Sequence, residues 1–355
     1  TLLTNISIAQ NVDSLGAYPQ LNQRDLQIVK QQWVMTDNAA GMVFQNVNKG
    51  SYTRLERYLS EGEHHRVQEG SSNKGLRFVS ERYDRFNDKV FVRGQFSFSM
   101  DKEYDRAWSD VINTYNSNPY YFGSSVRGNY DKQQFDLNLK VYSVAYRGFN
   151  FGLTIDYHVA DISRQRDPRT RTYMIDYSII PSIVYNVSDK SKLGFNIYYR
   201  YDKERMPSTS TVQTDPNLKY YNFVGLHNAI GRIGGYRAFS RQFISDYVGT
   251  ALQYNYIDNG VKLLLSAGYD MQWQDTFGSR QESPGSFNSH NFRFLTNLIL
   301  ENTNVLHNAV LSASFKDAGA NEYRQTQVIE RDTLTGVTTE YWETTYIYKN
   351  RYVVN

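Results

Sequence analysis

Apolar and polar residues alternate with a period of two through most of Phe135–Trp273. In Phe149–Ala160 every odd position is apolar, whereas the even positions include Asp156 and His158. Successive side chains of a β-strand point to opposite faces, so each such run predicts a strand with one apolar and one polar face. Runs of about ten residues separated by turns are typical of strands that cross a membrane.

The alternation and the turn residues between the runs predict about twelve strands, an even number as in most bacterial barrels. The predicted strands are Tyr52–Leu59, Gly75–Phe86, Lys89–Met100, Phe135–Ala145, Phe149–Ala160, Tyr173–Val187, Leu193–Tyr201, Phe243–Ile257, Val261–Trp273, Phe292–Leu300, Val305–Phe315 and Trp342–Val354.

Short and long connections alternate along the chain. Tight turns such as Arg147-Gly148 and Asp258-Asn259-Gly260 follow one strand of each pair, and long polar loops such as Asp101–Lys132 and Asp202–Gln242 follow the other. Outer-membrane barrels have short periplasmic turns and long external loops. The sequence therefore predicts an all-β fold: an antiparallel transmembrane β-barrel of about 12–14 strands in the bacterial cell outer membrane, in contact with its lipids.

Composition limits the possible functions. Aromatic residues make up 15% of the 355 residues and include 30 Tyr, which would supply the two aromatic girdles of a barrel. A net charge of +3 with dispersed basic residues argues against nucleic acid as a partner. The absence of cysteine excludes disulfides, thiolate metal sites and cysteine nucleophiles. No cofactor is expected.

The first 50 residues do not show the strand pattern. We divide the chain into a lead-in or plug segment at 1–50 and a barrel at 51–355. Leu21–Val34 has helical character and precedes the small-residue segment Asn38–Met42. The segment is interpreted either as a plug inside the lumen or as a periplasmic lead-in. Thr1–Ala9 fits the tail of a signal peptide or an ordinary strand equally well.

The end of the chain lacks the terminal aromatic residue that usually closes an outer-membrane barrel. The last residues are Tyr352-Val353-Val354-Asn355. We therefore expect one or two further strands after Asn355 in the natural protein.

Polar side chains at the inward positions are the candidates for a lumen site. Charges of both signs occur among them, which favours internal salt bridges, although some could line a substrate path. The candidates are Arg93, Asp136, Asp156, His158, Arg200, Asp202, Lys262, Asp270 and Arg293.

Tyrosines in the two longest loops are candidates for recognition of a sugar, a peptide or a partner protein, or are ordinary surface residues. They are Tyr120, Tyr121, Tyr220 and Tyr221. The cluster Glu61, Glu63, His64 and His65 has metal-binding side chains, but adjacent histidines in a solvated loop rarely bind metal, so no metal site is expected. No catalytic motif is found, and no catalytic residue is assigned.

Several short motifs carry a resemblance to known barrels. Asn38-Ala39-Ala40-Gly41-Met42 resembles the Asn-Pro-Ala-Gly-Leu element that opens many outer-membrane barrels, including those of the long-chain fatty-acid transporter superfamily, with Ala39 in place of proline. Together with Trp33, Gly75–Phe78, Pro119–Tyr121 and Ile180–Tyr185, it resembles a Bacteroidota family of outer-membrane barrels of undefined function. That resemblance implies a TonB-dependent receptor or a surface lipoprotein as a partner, because members are often encoded beside them.

Three functions follow as hypotheses. The first is a non-enzymatic component of a TonB-linked nutrient-uptake complex, in which the lumen passes or captures a solute. The second is a structural or interaction subunit with a closed lumen. The third and weakest is an enzyme embedded in the barrel that modifies lipids.

Overall fold

Fifteen strands and two short 3₁₀ helices form the part of the chain that can be described. The computed structural model describes residues 30–45, 50–114, 118–207, 220–225, 228–232, 240–278, 282–302 and 306–354. The predictions for Thr1–Ala9, and for most of Leu21–Val34, lie outside these residues. The 3₁₀ helices are Gln32–Met35 and Ala39–Phe44.

Twelve strands form one antiparallel sheet, and three form a small second sheet. The large sheet contains β1 (Gly50–Glu61), β2 (Ser72–Arg85), β3 (Val90–Arg106), β5 (Gly128–Ser143), β6 (Phe149–Arg164), β7 (Arg171–Asn186), β8 (Ser191–Met206), β11 (Arg241–Asp258), β12 (Val261–Phe277), β13 (Gly285–Glu301), β14 (Leu306–Arg331) and β15 (Thr338–Val354). The small sheet contains β4 (Phe122–Ser124), β9 (Tyr220–Gly225) and β10 (Asn228–Arg232).

The strands of the large sheet are ordered as they occur in the chain, and each pairs with the one before and the one after it. Only β4, β9 and β10 interrupt this order, because they belong to the small sheet. β1 and β15 are the two ends of this order. The predicted all-β class, antiparallel pairing and number of strands are confirmed. Among the described residues, no helix has the length and apolar character needed to cross a membrane.

The strands extend beyond their predicted ends at the side of the long loops. β3 continues to Arg106 rather than ending at Met100, and β8 continues to Met206 rather than ending at Tyr201. Backbone pairing persists in these extensions, but charged residues occupy both faces, so the apolar alternation that marks a strand in the sequence is lost. The turns at Arg147-Gly148 and Asn259-Gly260 have positive φ at both residues, as two-residue type I′ hairpins require.

β14 is shared by two neighbours along different parts of its length. Leu306–Glu322 pairs with β13, whereas Lys316–Arg331 pairs with β15. Beyond Glu322, β14 therefore pairs only with β15, and the two strands form a projecting hairpin, Tyr323–Ile347. We refer to this segment as the projecting hairpin.

The two faces of the large sheet differ in the way that the sequence predicts. On β8, Phe195, Ile197 and Tyr199 are exposed on the outer face, whereas Asn196 is buried on the inner face. On β12, Leu265 is exposed, and Leu264 is buried. The outer face is apolar although no part of the described chain covers it, and the inner face is mixed. In a soluble protein the apolar face would be buried and the polar face exposed. The opposite arrangement is expected where lipid surrounds the sheet.

Arginine substitutions on adjacent residues of β12 test the assignment of the faces. Leu265→Arg places a charge on the outer face and is expected to lower the free energy of unfolding in lipid vesicles by about 2–4 kcal/mol. Ser266→Arg directs the same side chain into an interior cavity of about 320 Å³, and a much smaller loss is expected. Urea titration followed by tryptophan fluorescence measures both variants. Equal losses would contradict the assignment of lipid to the outer face.

Candidate functional site

Residues 30–45, here called the plug, lie against the inner face of the large sheet. The Gln32 side-chain amide donates to Asn297 Oδ1 over 2.7 Å and accepts from Asn255 Nδ2 over 3.1 Å. Asn38 Nδ2 donates to Gln253 Oε1 over 2.9 Å. These partners lie on β11 and β13, which places the plug across the concave side of the sheet.

Strands on the other side of the interior hold the plug as well. Lys140 Nζ on β5 donates to the carbonyl of Thr36 over 3.0 Å. Thr154 Oγ1 on β6 donates to the carbonyl of Asp37, also over 3.0 Å. The plug is therefore bonded to strands from β5 to β13 across the interior, through its side chains on β11 and β13 and through its backbone carbonyls on β5 and β6.

Glycines allow the plug to approach the sheet closely. A Cβ added at Gly152 on β6 would overlap the backbone of Ala39 and Ala40. One added at Gly194 on β8 would lie 3.0 Å from Asn38 Nδ2 and 3.1 Å from the Trp33 ring. A larger residue at Gly152 would require the plug backbone to move, whereas one at Gly194 would first displace the Gln253 side chain of β11, 2.7 Å away.

An apolar cluster closes the interior at the end of the short turns. It consists of the buried residues Trp33, Ala40, Met42, Tyr142, Val184 and Leu264. Phe91 extends the cluster by stacking on Tyr142, with the ring centroids 5.6 Å apart. The cluster and Phe91 therefore pack plug residues against β3, β5, β7 and β12 at this end of the interior.

The long loops close the opposite end. The described loop residues 107–114, 118–127, 220–225 and 228–232, which include β4, β9 and β10, form a structure that we call the lid. Phe122 of the lid stacks on Phe243 of β11, with the centroids 6.1 Å apart. The apolar core beneath the lid consists of Val111, Tyr120, Phe122, Met206, Tyr220, Phe243, Phe287, Ala318 and Ala320.

Hydrogen bonds anchor the lid to strands on opposite sides of the opening. The Ile112 amide donates to Glu204 Oε1 on β8 over 2.6 Å, and Thr172 Oγ1 on β7 donates to the carbonyl of Asp110 over 2.8 Å. The Tyr120 hydroxyl donates to the carbonyl of Asn321 on β14. The lid is thus fixed to β7, β8 and β14 at once.

Two of the four loop tyrosines, Tyr120 and Tyr220, are buried instead of lying on an exposed surface, and Tyr121 and Tyr221 are partly buried. Tyr120 and Tyr220 are only 1% and 2% exposed, because the loops fold inward over the apolar core. Burial, together with the neighbouring Asp110 carboxylate, raises the pKa of the Tyr220 hydroxyl well above its ordinary value. Tyr121 stacks on Phe223 at 4.1 Å, and Tyr221 packs against Trp108 at 5.0 Å. These four residues therefore build the lid.

Between the plug and the lid, the inner face carries the predicted charged residues. Arg93 pairs with Glu81 at 2.8 Å, and Arg200 forms two hydrogen bonds with Asp176, at 2.5 and 2.8 Å. The Lys262 ammonium lies 3.4 Å from a Glu301 carboxylate oxygen, near the short turns.

The remaining candidates make further polar contacts on this face. Arg293 pairs with Asp270 at 3.2 Å and with Asp37 of the plug at 3.7 Å. Asp156 accepts from Asn138 and from Ser178. Asp202 is buried on the inward side of β8. The predicted residues thus face one interior but form several separate pairs.

Asp136 and His158 face each other across β5 and β6, with Asp136 Oδ1 2.5 Å from His158 Nδ1. Ser97 Oγ donates to the other oxygen of Asp136 over 2.8 Å. The serine therefore contacts the carboxylate and not the imidazole. In a nucleophilic triad the histidine must lie between serine and acid to take up the proton, so this arrangement does not activate Ser97.

Three cavities that share lining residues occupy the space between the plug and the lid. Their volumes are about 320, 280 and 340 Å³. Asp37 and Arg293 line the first two, and Asp136 and Asn138 line the last two. Among the described residues, no group of three His, Asp or Glu side chains is arranged to hold a metal ion. The cavities are suited to water or a small polar solute.

Sequence reasoning missed three residues that organise this interior. Asp37 joins the plug to Arg293, Glu81 neutralises Arg93, and Glu204 holds the lid. Glu204 shares the inward phase of Asp202, so the alternation, continued by two residues, would have placed it inside. No local signal indicates the role of Asp37, because its partner lies 256 positions away in the chain.

Comparison with known proteins gives a family but no activity. A family model described as a family of unknown function (DUF6850) matches residues 39–355. A search of curated proteins found no match. Among solved structures, the chain is similar to the ferric preacinetobactin receptor BauA from Acinetobacter baumannii, with 8% identity and a TM-score of 0.34, over 85% of this chain and 54% of that one. The chain thus spans about half the length of that receptor.

A larger residue at Gly152 should displace the plug. Gly152→Val is expected to cost about 1–3 kcal/mol of stability through overpacking and to produce ion conductance in planar bilayers. The intact chain is expected to show no steady conductance, because the plug and the lid close both ends of the interior. The matched control is Gly94→Val, where an added Cβ meets no atom within 4 Å. Large, stable conductance from the intact chain would contradict the closed interior.

Proposed function

The chain belongs to this family of unknown function, and we propose that it is a non-catalytic outer-membrane β-barrel that works as a component of a nutrient-uptake complex beside a TonB-dependent receptor. In this proposal the barrel contributes through its surface, and its interior is not an open pore. The observation that carries the proposal is the packing of the plug at one end of the interior and of the lid at the other.

The location in the outer membrane is supported by the outer face. Large apolar side chains are exposed on seven neighbouring strands, where water would disfavour them. They include Leu137, Phe151, Ile179, Phe195, Leu252, Leu265 and Phe294, with exposed fractions from 38% to 63%. Aromatic residues flank this belt, with Tyr173 and Trp273 near the long loops and Tyr185 near the short turns. Two aromatic borders around an apolar band match a membrane-spanning barrel.

The closure argues for a surface role because it is built from many independent contacts. The plug bonds to strands from β5 to β13, and the lid bonds to β7, β8 and β14. Opening either end would break several buried hydrogen bonds at once, each contributing about 0.5–1.5 kcal/mol. A protein that only passed solutes by diffusion would gain nothing from such a structure.

The projecting hairpin offers a surface for a partner. Ile329, Tyr346 and Ile347 on it are exposed by 61%, 56% and 45%, and no strand other than β14 and β15 pairs with it among the described residues. A two-stranded hairpin with apolar side chains in water gains stability when a partner covers it. We assign this surface to the receptor, with a surface lipoprotein as the alternative that identification of the bound chain would reveal.

A second candidate function is gated passage of a small polar solute. The observation that favours it is the set of three neighbouring cavities lined by charges of both signs. A lipid-modifying enzyme has less support, because Ser97 contacts Asp136 instead of His158. Solute uptake by vesicles containing the protein alone would favour gated passage over the surface role.

Shortening the projecting hairpin tests the proposed complex. Replacing Thr326–Glu343 with Asn-Gly leaves the pair Gln325 and Thr344 to flank a new two-residue turn. The barrel should fold normally, because β13 pairs with β14 only up to Glu322. We expect the variant to lose a TonB-dependent receptor that co-purifies with the intact protein from native membranes, as identified by mass spectrometry.

The matched control shortens a different external loop by deleting His64–Val67. This variant should retain the partner, and heat-modifiable migration on gels should show that both variants are folded. Equal recovery of the receptor with the shortened hairpin would remove the hairpin from the interface. Failure of the intact protein to recover any receptor would contradict the proposed complex itself.

A further inference from the structure

Basic side chains occupy the outer face of β8 immediately above the aromatic border. Along this strand, Asp202 and Glu204 are buried and point inward, whereas Lys203 is half-buried and Arg205 is exposed. Both basic residues therefore share the outward phase of Tyr201. Successive outward residues of a strand lie about 7 Å apart, so Lys203 and Arg205 follow Tyr201 away from the apolar belt. Residues just beyond an aromatic border lie at the depth of the lipid headgroups.

These two cations have no carboxylate partner within the described part of the chain. Arg205 lies opposite Tyr173 of β7, and Lys203 lies between Ile175 of β7 and Ile244 of β11. Gln242 of β11 lies on the other side of Arg205, so neither cation has a carboxylate directly opposite it in the sheet. An anion at this position would find two charged donors side by side, which bind phosphate more strongly than neutral donors do.

The adjoining loop extends the positive charge. Arg171 lies over the Tyr173 ring at 4.9 Å and bonds Asp161 at 3.0 Å. Arg169 bonds Asp167 at 3.2 Å, and Arg166 donates to the carbonyl of Arg127. The resulting surface, here called the basic patch, consists of Arg166, Arg169, Arg171, Lys203 and Arg205. Its five cations outnumber the two carboxylates, Asp161 and Asp167, among them.

The patch is local to one side of the barrel. On the neighbouring strands β11 and β12, the outward residues at comparable height include the acids Asp246 and Asp275. The Asp246 carboxylate accepts from the Tyr199 hydroxyl over 2.9 Å. The positive charge on β7, β8 and the loop between β6 and β7 therefore does not continue onto β11 and β12.

We propose that the basic patch binds the phosphate of a phosphorylated glycolipid of the outer leaflet, the lipid A headgroup. The inference rests on the proposed location in the outer membrane with the long loops outside. Acyl chains of the lipid would lie against Ile175, Ile179 and Ile244, while its phosphate meets Lys203 and Arg205 above them. Juxtamembrane basic residues attract anionic headgroups in this way.

Native mass spectrometry of the purified full chain with added lipid A tests the site. The variant Lys203→Gln with Arg205→Gln should bind lipid A about tenfold more weakly than the unaltered protein, because two headgroup contacts are lost. The control variant, Lys89→Gln with Arg147→Gln, removes two exposed charges at the opposite, short-turn end and should bind like the unaltered protein. Dephosphorylated lipid A should bind weakly to all three.

Equal binding of lipid A by the patch variant and the control would overturn the proposal. The proposal would also be overturned if phosphatidylglycerol bound as tightly as lipid A and lost binding in the same patch variant. The patch would then bind anionic lipids in general. Capture of an acidic protein that the patch variant loses, with lipid A binding unchanged, would overturn it as well. Labelling of Leu334→Cys in intact cells reports the orientation separately, since the native chain has no cysteine.

Discussion

The pleat of the β-strand is the constraint on which the rest of this structure depends. Because alternate side chains point to opposite faces, a curled sheet gives every strand one outer and one inner row of residues. The outer row is apolar, and no described part of the chain covers it. The polar residues therefore lie in the inner row, which faces the space that the curled sheet encloses. The plug, the lid and the interior charge pairs between them all fill that space. Two of the buried inward charges show how they are accommodated: Arg93 pairs with Glu81, and Lys140 donates to the carbonyl of Thr36. A buried charge without a polar partner would be costly.

The interior also explains why its polar residues do not form a single reactive centre. Arg200 is held by Asp176 and Arg293 by Asp270 and Asp37, so their charges are already neutralised within the fold. Such pairs between neighbouring strands fix the register of the sheet on its inner face, much as the apolar rows do outside. A solute that entered the cavities would have to compete with these pairs. A surface role is therefore the simpler account of the geometry.

The sequence was sufficient to predict the strands, their order and their two faces, because these depend on local alternation and turn chemistry. Asn259-Gly260 is a local hairpin signal, and it forms the expected turn. The extensions of β3 and β8 escaped prediction because polar residues there cover both faces. Tyr120 and Tyr220 were expected on exposed loops, and their burial depends on Phe243, Phe287 and Ala320, which lie on distant strands. Likewise, Thr154 looks like an ordinary lumen residue until the plug is placed beside it.

The position of the plug has a consequence for the order of assembly. Asn38 bonds a residue 215 positions later in the chain, and Gln32 bonds one 265 positions later. The plug precedes every strand of the large sheet in the chain, yet it can be seated only after β13 has joined the growing sheet. Contacts of such long range are slow to form, because the closure of a large loop must precede them. Until then, Trp33 and Met42 lack the later strands against which they pack, so their apolar surface must be shielded by other means while the sheet is still growing.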